Sequence, residues 1–133
     1  MADTMQFYLV TPERKLSSVP VREVRLPGSQ GDLTAMPGHA PMITTLRPGI
    51  VTVVAADGSI DEFGVTGGFA EIMGDMVNLL AERGVPKEEL TAALVAQYVA
   101  DAKKALEEAA PDAVDAAVKM LADMQALDAH INA

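Results

Sequence analysis

All ten glycines of this 133-residue chain lie before Pro86, and none follows it. Seven of the eight prolines likewise fall in residues 1–86, while the remainder is crowded with alanine. Glycine and proline punctuate short strands and turns, whereas a glycine-free, alanine-rich tract favours helix. The chain therefore divides into a β-rich part, residues 1–86, and a helical part, residues 87–133. In the first part the runs Met5–Thr11, Val21–Leu26, Gly49–Ala56, Ile60–Val65 and Met76–Glu82 are short, rich in β-branched residues and bounded by turn residues, so they read as strands. Within Val21–Leu26 the period-2 alternation is imperfect: Val21, Glu23 and Arg25 fall on one side, and Arg22, Val24 and Leu26 on the other. Asp57-Gly58 predicts a tight hairpin turn between two of these runs. Many short strands without an intervening helix period point to two antiparallel sheets packed face to face and against a βαβ fold.

After Pro86 the period becomes helical. Leu90, Leu94, Tyr98, Ala102 and Leu106 recur at i, i+4, and the acidic Glu88 and Glu89 near the start suit a helix entry at Pro86. Pro111 lacks the N–H that an unbroken helix needs, which predicts a break over Ala109–Asp112. Val114, Val118, Leu121, Met124, Leu127 and Ile131 then form the apolar stripe of a second helix. The short connection predicts an antiparallel hairpin.

Ten Lys and Arg against nineteen Asp and Glu leave a formal charge of −9, opposed to binding a phosphate backbone. No nucleic-acid partner is expected. No run approaches the roughly 20 apolar residues that span a bilayer, and the N-terminus has no signal-peptide pattern, so direct membrane insertion is not expected and the chain is expected to stay where it is made. Zero cysteines remove disulfides, thiolate nucleophiles and cysteine-ligated zinc. The two histidines, His39 and His130, lack metal-site spacing. Asp61-Glu62 and Glu107-Glu108 are adjacent in sequence and diverge on a strand or helix, unlike a cooperating carboxylate pair. The serines are not set in a nucleophile elbow. Thr66-Gly67-Gly68-Phe69 lacks the lysine of a phosphate loop, and its glycines point instead to a bulge or a close backbone approach. No catalytic, cofactor-binding or metal-ligating residue is assigned.

From Gly28 to Gly49 the chain reads GSQGDLTAMPGHAPMITTLRPG, a loop pinned by proline yet carrying Leu33, Met36, Met42, Ile43 and Leu46. Two readings stand. In one, these apolar side chains plug an open end of the sandwich. In the other, Asp32, Met36 and His39 emerge at a rigid rim that meets another protein, because preorganised loops lose less entropy on binding.

The ordered elements MQFYLVTPER, VREVRLPGSQGDL, PGHAPMITTLRPG, GVTGGFAEI and VNLLAE, followed by a helical tail, resemble the ε subunit of F-type ATP synthases, called δ in mitochondria. The resemblance covers essentially the whole chain, and PGHAP with the following T-x-L-x-P-G is its most specific part. It implies a sandwich of about ten strands followed by a two-helix hairpin. It also implies a non-catalytic rotor subunit that sits at the foot of γ and against the polar loops of the c-ring, with no cofactor. By position, Asp32 is implied to meet a c-subunit loop, His39 to lie on the same rim near γ and the ring, and Met36 and Met42 to belong to that interface. The α and β subunits are further partners implied for the hairpin. A bacterial member would lie peripherally on the cytoplasmic face of the inner membrane. Family members that inhibit ATP hydrolysis use basic residues on the second helix, where this chain has only Lys119 among Asp112, Asp115, Asp123 and Asp128. Relatives that bind ATP in the hairpin use an arginine motif, and the first helix here has no arginine. Inhibition and ATP binding are therefore expected to be weak or absent. The alternative is a nucleotide-sensing regulatory subunit whose hairpin holds ATP and controls ATPase activity.

Overall fold

A computed structural model describes residues 4–131. Its strands are β1 (Met5–Val10), β2 (Lys15–Gly28), β3 (Gly31–Ala35), β4 (Met42–Leu46), β5 (Gly49–Ala55), β6 (Ile60–Val65), β7 (Gly68–Met73), β8 (Met76–Ala81) and β9 (Gly84–Pro86), followed by helices α1 (Ala92–Glu107) and α2 (Val114–Ile131). By internal contacts the chain divides between Lys87 and Glu88 into two compact units.

The first unit is a β-sandwich. One layer runs β4–β7–β8–β1 and continues into the first half of β2; the other is built from β3, the second half of β2, β5, β6 and β9. The long β2 belongs to both layers. It pairs with β1 from Lys15 to Val21 and with β5 from Val21 to Arg25. Alternation along the strands then sends one side chain in two inward. Met5, Phe7 and Leu9 of β1, Ala70 and Ile72 of β7, and Val77 and Leu79 of β8 are buried together with Val24, Leu26, Val51, Val53 and Val65. Each large side chain so buried contributes about 1.5–3 kcal/mol, which makes this core the source of the unit's stiffness.

The imperfect alternation of Val21–Leu26 has a structural cause. The pairing with β5 shifts between Val21 and Glu23, so one extra residue is inserted and both Val21 and Val24, three apart, face the core. The Asp57-Gly58 hairpin forms as its sequence predicts: Gly58 adopts φ +88°, its N–H donates to the Ala55 carbonyl at 2.9 Å, and the Asp57 carboxylate accepts from the Ser59 N–H at 2.9 Å and its hydroxyl at 2.6 Å.

Three expectations need correction. The pairing is not wholly antiparallel, because β1 and β8 run parallel. A parallel pair needs a crossover, and here the rest of the sandwich supplies it. The Gly28–Gly49 segment is not a loop throughout: β3 pairs with β2 and β4 with β7, and its glycines and prolines sit at the strand ends. Of its large apolar side chains Leu46 is buried, as is the small Ala35, and Leu33 packs on the core, whereas Met36, Met42 and Ile43 are exposed. Finally, the first helix does not start at Pro86. That residue ends β9 opposite Phe63, Lys87–Glu89 form a single 3-10 turn, and α1 begins after Thr91, whose hydroxyl accepts from the Leu94 N–H at 3.2 Å. An N-cap hydroxyl that satisfies an orphan N–H fixes the start more strongly than nearby acids do.

In the second unit α1 packs on α2. Of the expected α1 stripe, Tyr98 and Ala102 are buried, Leu94 and Leu106 are half-buried, and Leu90 is buried just ahead of the helix; Val95, which the i, i+4 series left out, is buried as well. Pro111 opens a short 3-10 turn, Pro111–Ala113, after α1 closes on Glu108, the expected break. On α2, Met124 and Leu127 are buried, but Val118, expected on the same stripe, is 49% exposed.

Candidate partner-contact surface

The residues expected to meet partners divide between two places on the sandwich. Asp32 is the second residue of β3 and Met36 follows its end, so extended backbone holds the two about 13 Å apart. Asp32 is tied to the β4–β5 turn, where the Arg47 guanidinium bonds its Oδ1. The segment carrying Met36 and His39 is tied instead to the β7–β8 turn, where the Gly38 N–H donates to the Gly74 carbonyl at 2.8 Å, and it closes on itself through the His39 N–H, which donates to the Met36 carbonyl at 3.0 Å. The His39 ring is fixed by Nδ1–H donating to the Ala40 carbonyl at 2.6 Å. Met42 starts β4 opposite Ile72, at the Met36 end. Met36, His39 and Met42 are thus brought to one end of β3 and β4, and Asp32 with Arg47 to the other.

A third surface escapes motif reading. Phe69 of β7 lies opposite Leu80 of β8, which lies beside Val10 of β1. Phe69 is 46% and Leu80 44% exposed. With Thr11 and Pro12 they line a cavity of about 390 Å³ on the outer face of that layer. Its signal was present in the alternation: in GFAEIM and MVNLLA the positions between the core residues include Phe and Leu where a wet face would carry polar groups. The glycine beside it has a clear reason. Gly68 adopts φ +121°, and a Cβ there would lie 2.0 Å from the Leu80 carbonyl oxygen, the close backbone approach expected for the Gly67-Gly68 pair.

Among the described residues no group of three or more His, Asp or Glu is placed to hold a metal ion, and Glu62 is paired with Lys87 at 3.3 Å. No described helix is long and apolar enough to cross a membrane. The Asp57 carboxyl is held below the ordinary aspartate range chiefly by the Ser59 hydroxyl, and further by the Ser59 N–H; it caps a turn. What the geometry offers is contact: a rigid polar corner, a methionine-bearing end and an apolar patch.

Residues 4–87 match the family described as ATP synthase, Delta/Epsilon chain, beta-sandwich domain. The ATP synthase epsilon chain of Rhodobacter capsulatus is 64% identical over 132 residues, 99% of each chain. That of Paracoccus denitrificans is 62% identical, across 98% of this chain and 93% of its own. Among solved structures, a chain of the Euglena gracilis mitochondrial ATP synthase, in an assembly of OSCP, F1 and c-ring, superposes with a TM-score of 0.73 at 21% identity, covering 98% of this chain and 82% of that one; it speaks for the fold. A β-sandwich that matches the family over residues 4–87, a helical hairpin that follows it in sequence and identity running through both place this chain in the ATP synthase epsilon-chain family.

Proposed function

We propose that the chain is the rotor element that couples rotation of the membrane ring to the γ shaft of a proton-translocating ATP synthase, and that it catalyses nothing itself. The observation that carries this reading is the match to epsilon chains over both units, 64% identical across 99% of the sequence. Its physical requirement is a body that passes torque without shearing. A sandwich whose backbone bonds run between strands, and whose β3–β4 connection is pinned by proline and tied to the β7–β8 turn, answers that requirement.

The surfaces suit different partners. The Asp32 corner is exposed and polar, which matches the polar loops of a ring. The Phe69–Leu80 patch matches a permanent apolar neighbour, the γ shaft, and Met36, His39 and Met42 extend the contact toward shaft and ring. Methionine's flexible thioether suits a contact that must adapt. In a bacterium a chain with this role would lie peripherally on the cytoplasmic face of the inner membrane.

The hairpin lacks the charge that inhibition uses. Lys119, the only lysine of α2, is paired within the helix to Asp123 at 2.9 Å, and the other ionisable groups from Asp112 to Asp128 are aspartates. Against an acidic surface of β such a helix is repelled. No arginine follows Arg83, so the hairpin also lacks the guanidinium for a nucleotide phosphate.

The test is ATPase activity of reconstituted F1 carrying the full chain or a chain ended after Lys87, kept because it pairs with Glu62. Similar rates with both are expected, and strong activation on truncation contradicts weak inhibition. Calorimetry with MgATP is expected to give no saturable heat; saturable binding supports the nucleotide-sensing alternative.

A further inference from the structure

Two turns that the chain separates by some fifteen residues are joined at the Asp32 corner. The Ser29 N–H of the β2–β3 turn donates to the Thr45 carbonyl at 2.9 Å, and the Arg47 N–H of the β4–β5 turn donates to the Pro27 carbonyl at 2.9 Å. The Arg47 side chain crosses the same gap: Nη1 donates to the Gly28 carbonyl at 2.5 Å and Nη2 to Asp32 Oδ1. The junction is closely packed. Pro27, Gly28 and Pro48 are buried, and a Cβ on Gly49 would come within 2.8 Å of the Pro27 Cβ. A guanidinium held by a buried carbonyl on one nitrogen has little freedom left, so the carboxylate bonded to its other nitrogen is held in direction too.

The pair is nevertheless outward-facing. The Asp32 side chain is 79% exposed and that of Arg47 29%. Beside it a cavity of about 320 Å³ lies among Arg25, Asp32, Thr34, Ile50 and Thr52, room for one or two side chains of a partner loop.

We infer that Arg47 is the positioning residue of the Asp32 contact, and that the element presented to the ring is the Asp32–Arg47 pair and not a bare carboxylate. The inference rests on the proposed placement of this corner against a polar ring loop. The pair carries no net charge. It offers an acceptor, Asp32 Oδ2, beside the guanidinium, so the matching loop supplies a hydrogen-bond donor next to an acceptor. A loop bearing only positive charge is not what this corner selects.

The experiment uses vesicles holding the whole ATP synthase, stripped of this subunit and refilled with variants. Proton-driven ATP synthesis is read beside binding to γ and amide-exchange protection of Ser29 and Arg47. With Arg47→Met, synthesis is expected to fall about threefold, within the range of a well-formed exposed ion pair, while γ binding is kept. Arg47→Lys, which retains a donor toward Asp32, is expected to recover most of that loss. The exchanged pair D32R/R47D is expected to keep Ser29 protected yet not to restore synthesis, because donor and acceptor are then reversed toward the ring. Wild-type synthesis with Arg47→Met overturns the inference, as does full restoration by the exchanged pair, which makes the bond a brace only. Asp32→Arg separates the two levels. If it alone leaves synthesis intact, the placement of this corner against the ring fails and the inference with it. If it impairs synthesis while Arg47→Met does not, only the inference fails.

Discussion

At Gly68 the backbone of β7 passes so close to β8 that a methyl group has no place to go, and the backbone angle is one that side chains avoid. Gly68→Ala is expected to cost roughly 2–4 kcal/mol, combining positive-φ strain with overpacking, read as a lower denaturant midpoint. Asp57 gives a pH signature. Its carboxyl titrates below its ordinary value because the ionised form accepts from Ser59. A depressed folded value means that its contribution is fully present above the unfolded carboxyl's range and is lost as pH falls through the folded one. The stability difference between the protein and Asp57→Asn is therefore expected to shrink on acidification through the carboxylate range; a difference that grows contradicts the assignment. Asp57-Gly58 was legible because a turn's chemistry is local. The Asp32–Arg47 bond was not, since nothing within either turn says that the two will meet.

Strands β1, β5, β6 and β8 were readable as β-rich runs and β7 only through the GVTGGFAEI motif, but β3 and β4 were hidden by the glycines and prolines at their ends. Composition averages over a window longer than a five-residue strand, so GDLTA and MITTL vanish into the turns beside them. Similarly, no period-2 reading survives the bulge at Arg22, where one inserted residue turns Val24 to the core. The helices were legible in their period and in the Pro111 break, whereas the α1 start depended on a single hydroxyl. Thr91→Ala is expected to cost about 1 kcal/mol, seen as fraying of the first turn of α1 in amide exchange with α2 unaffected. In the sandwich, Leu79→Ala is expected to cost about 2–5 kcal/mol in chemical denaturation, because Leu79 is wholly buried and the surrounding strands cannot collapse into the gap.

The molecule divides into a cross-strand sandwich and an alanine-rich hairpin, and in the proposed role the mechanical work falls to the first unit. Its family was legible from the ordered motifs, but the apolar patch at Phe69 and Leu80 needed the register of β7 against β8, since only pairing reveals that both face outward together. Leu80→Glu, on an exposed position, is expected to leave folding nearly unchanged and to weaken binding to γ by about tenfold or more, as truncation or charging of an interface anchor does; titration against γ checks it. The most direct measurement of the coupling role is proton-driven ATP synthesis by vesicles whose ATP synthase has been stripped of this subunit and then given it back. Synthesis is expected to fall on removal and to return on addition of the intact chain. Synthesis that is indifferent to both steps contradicts the account.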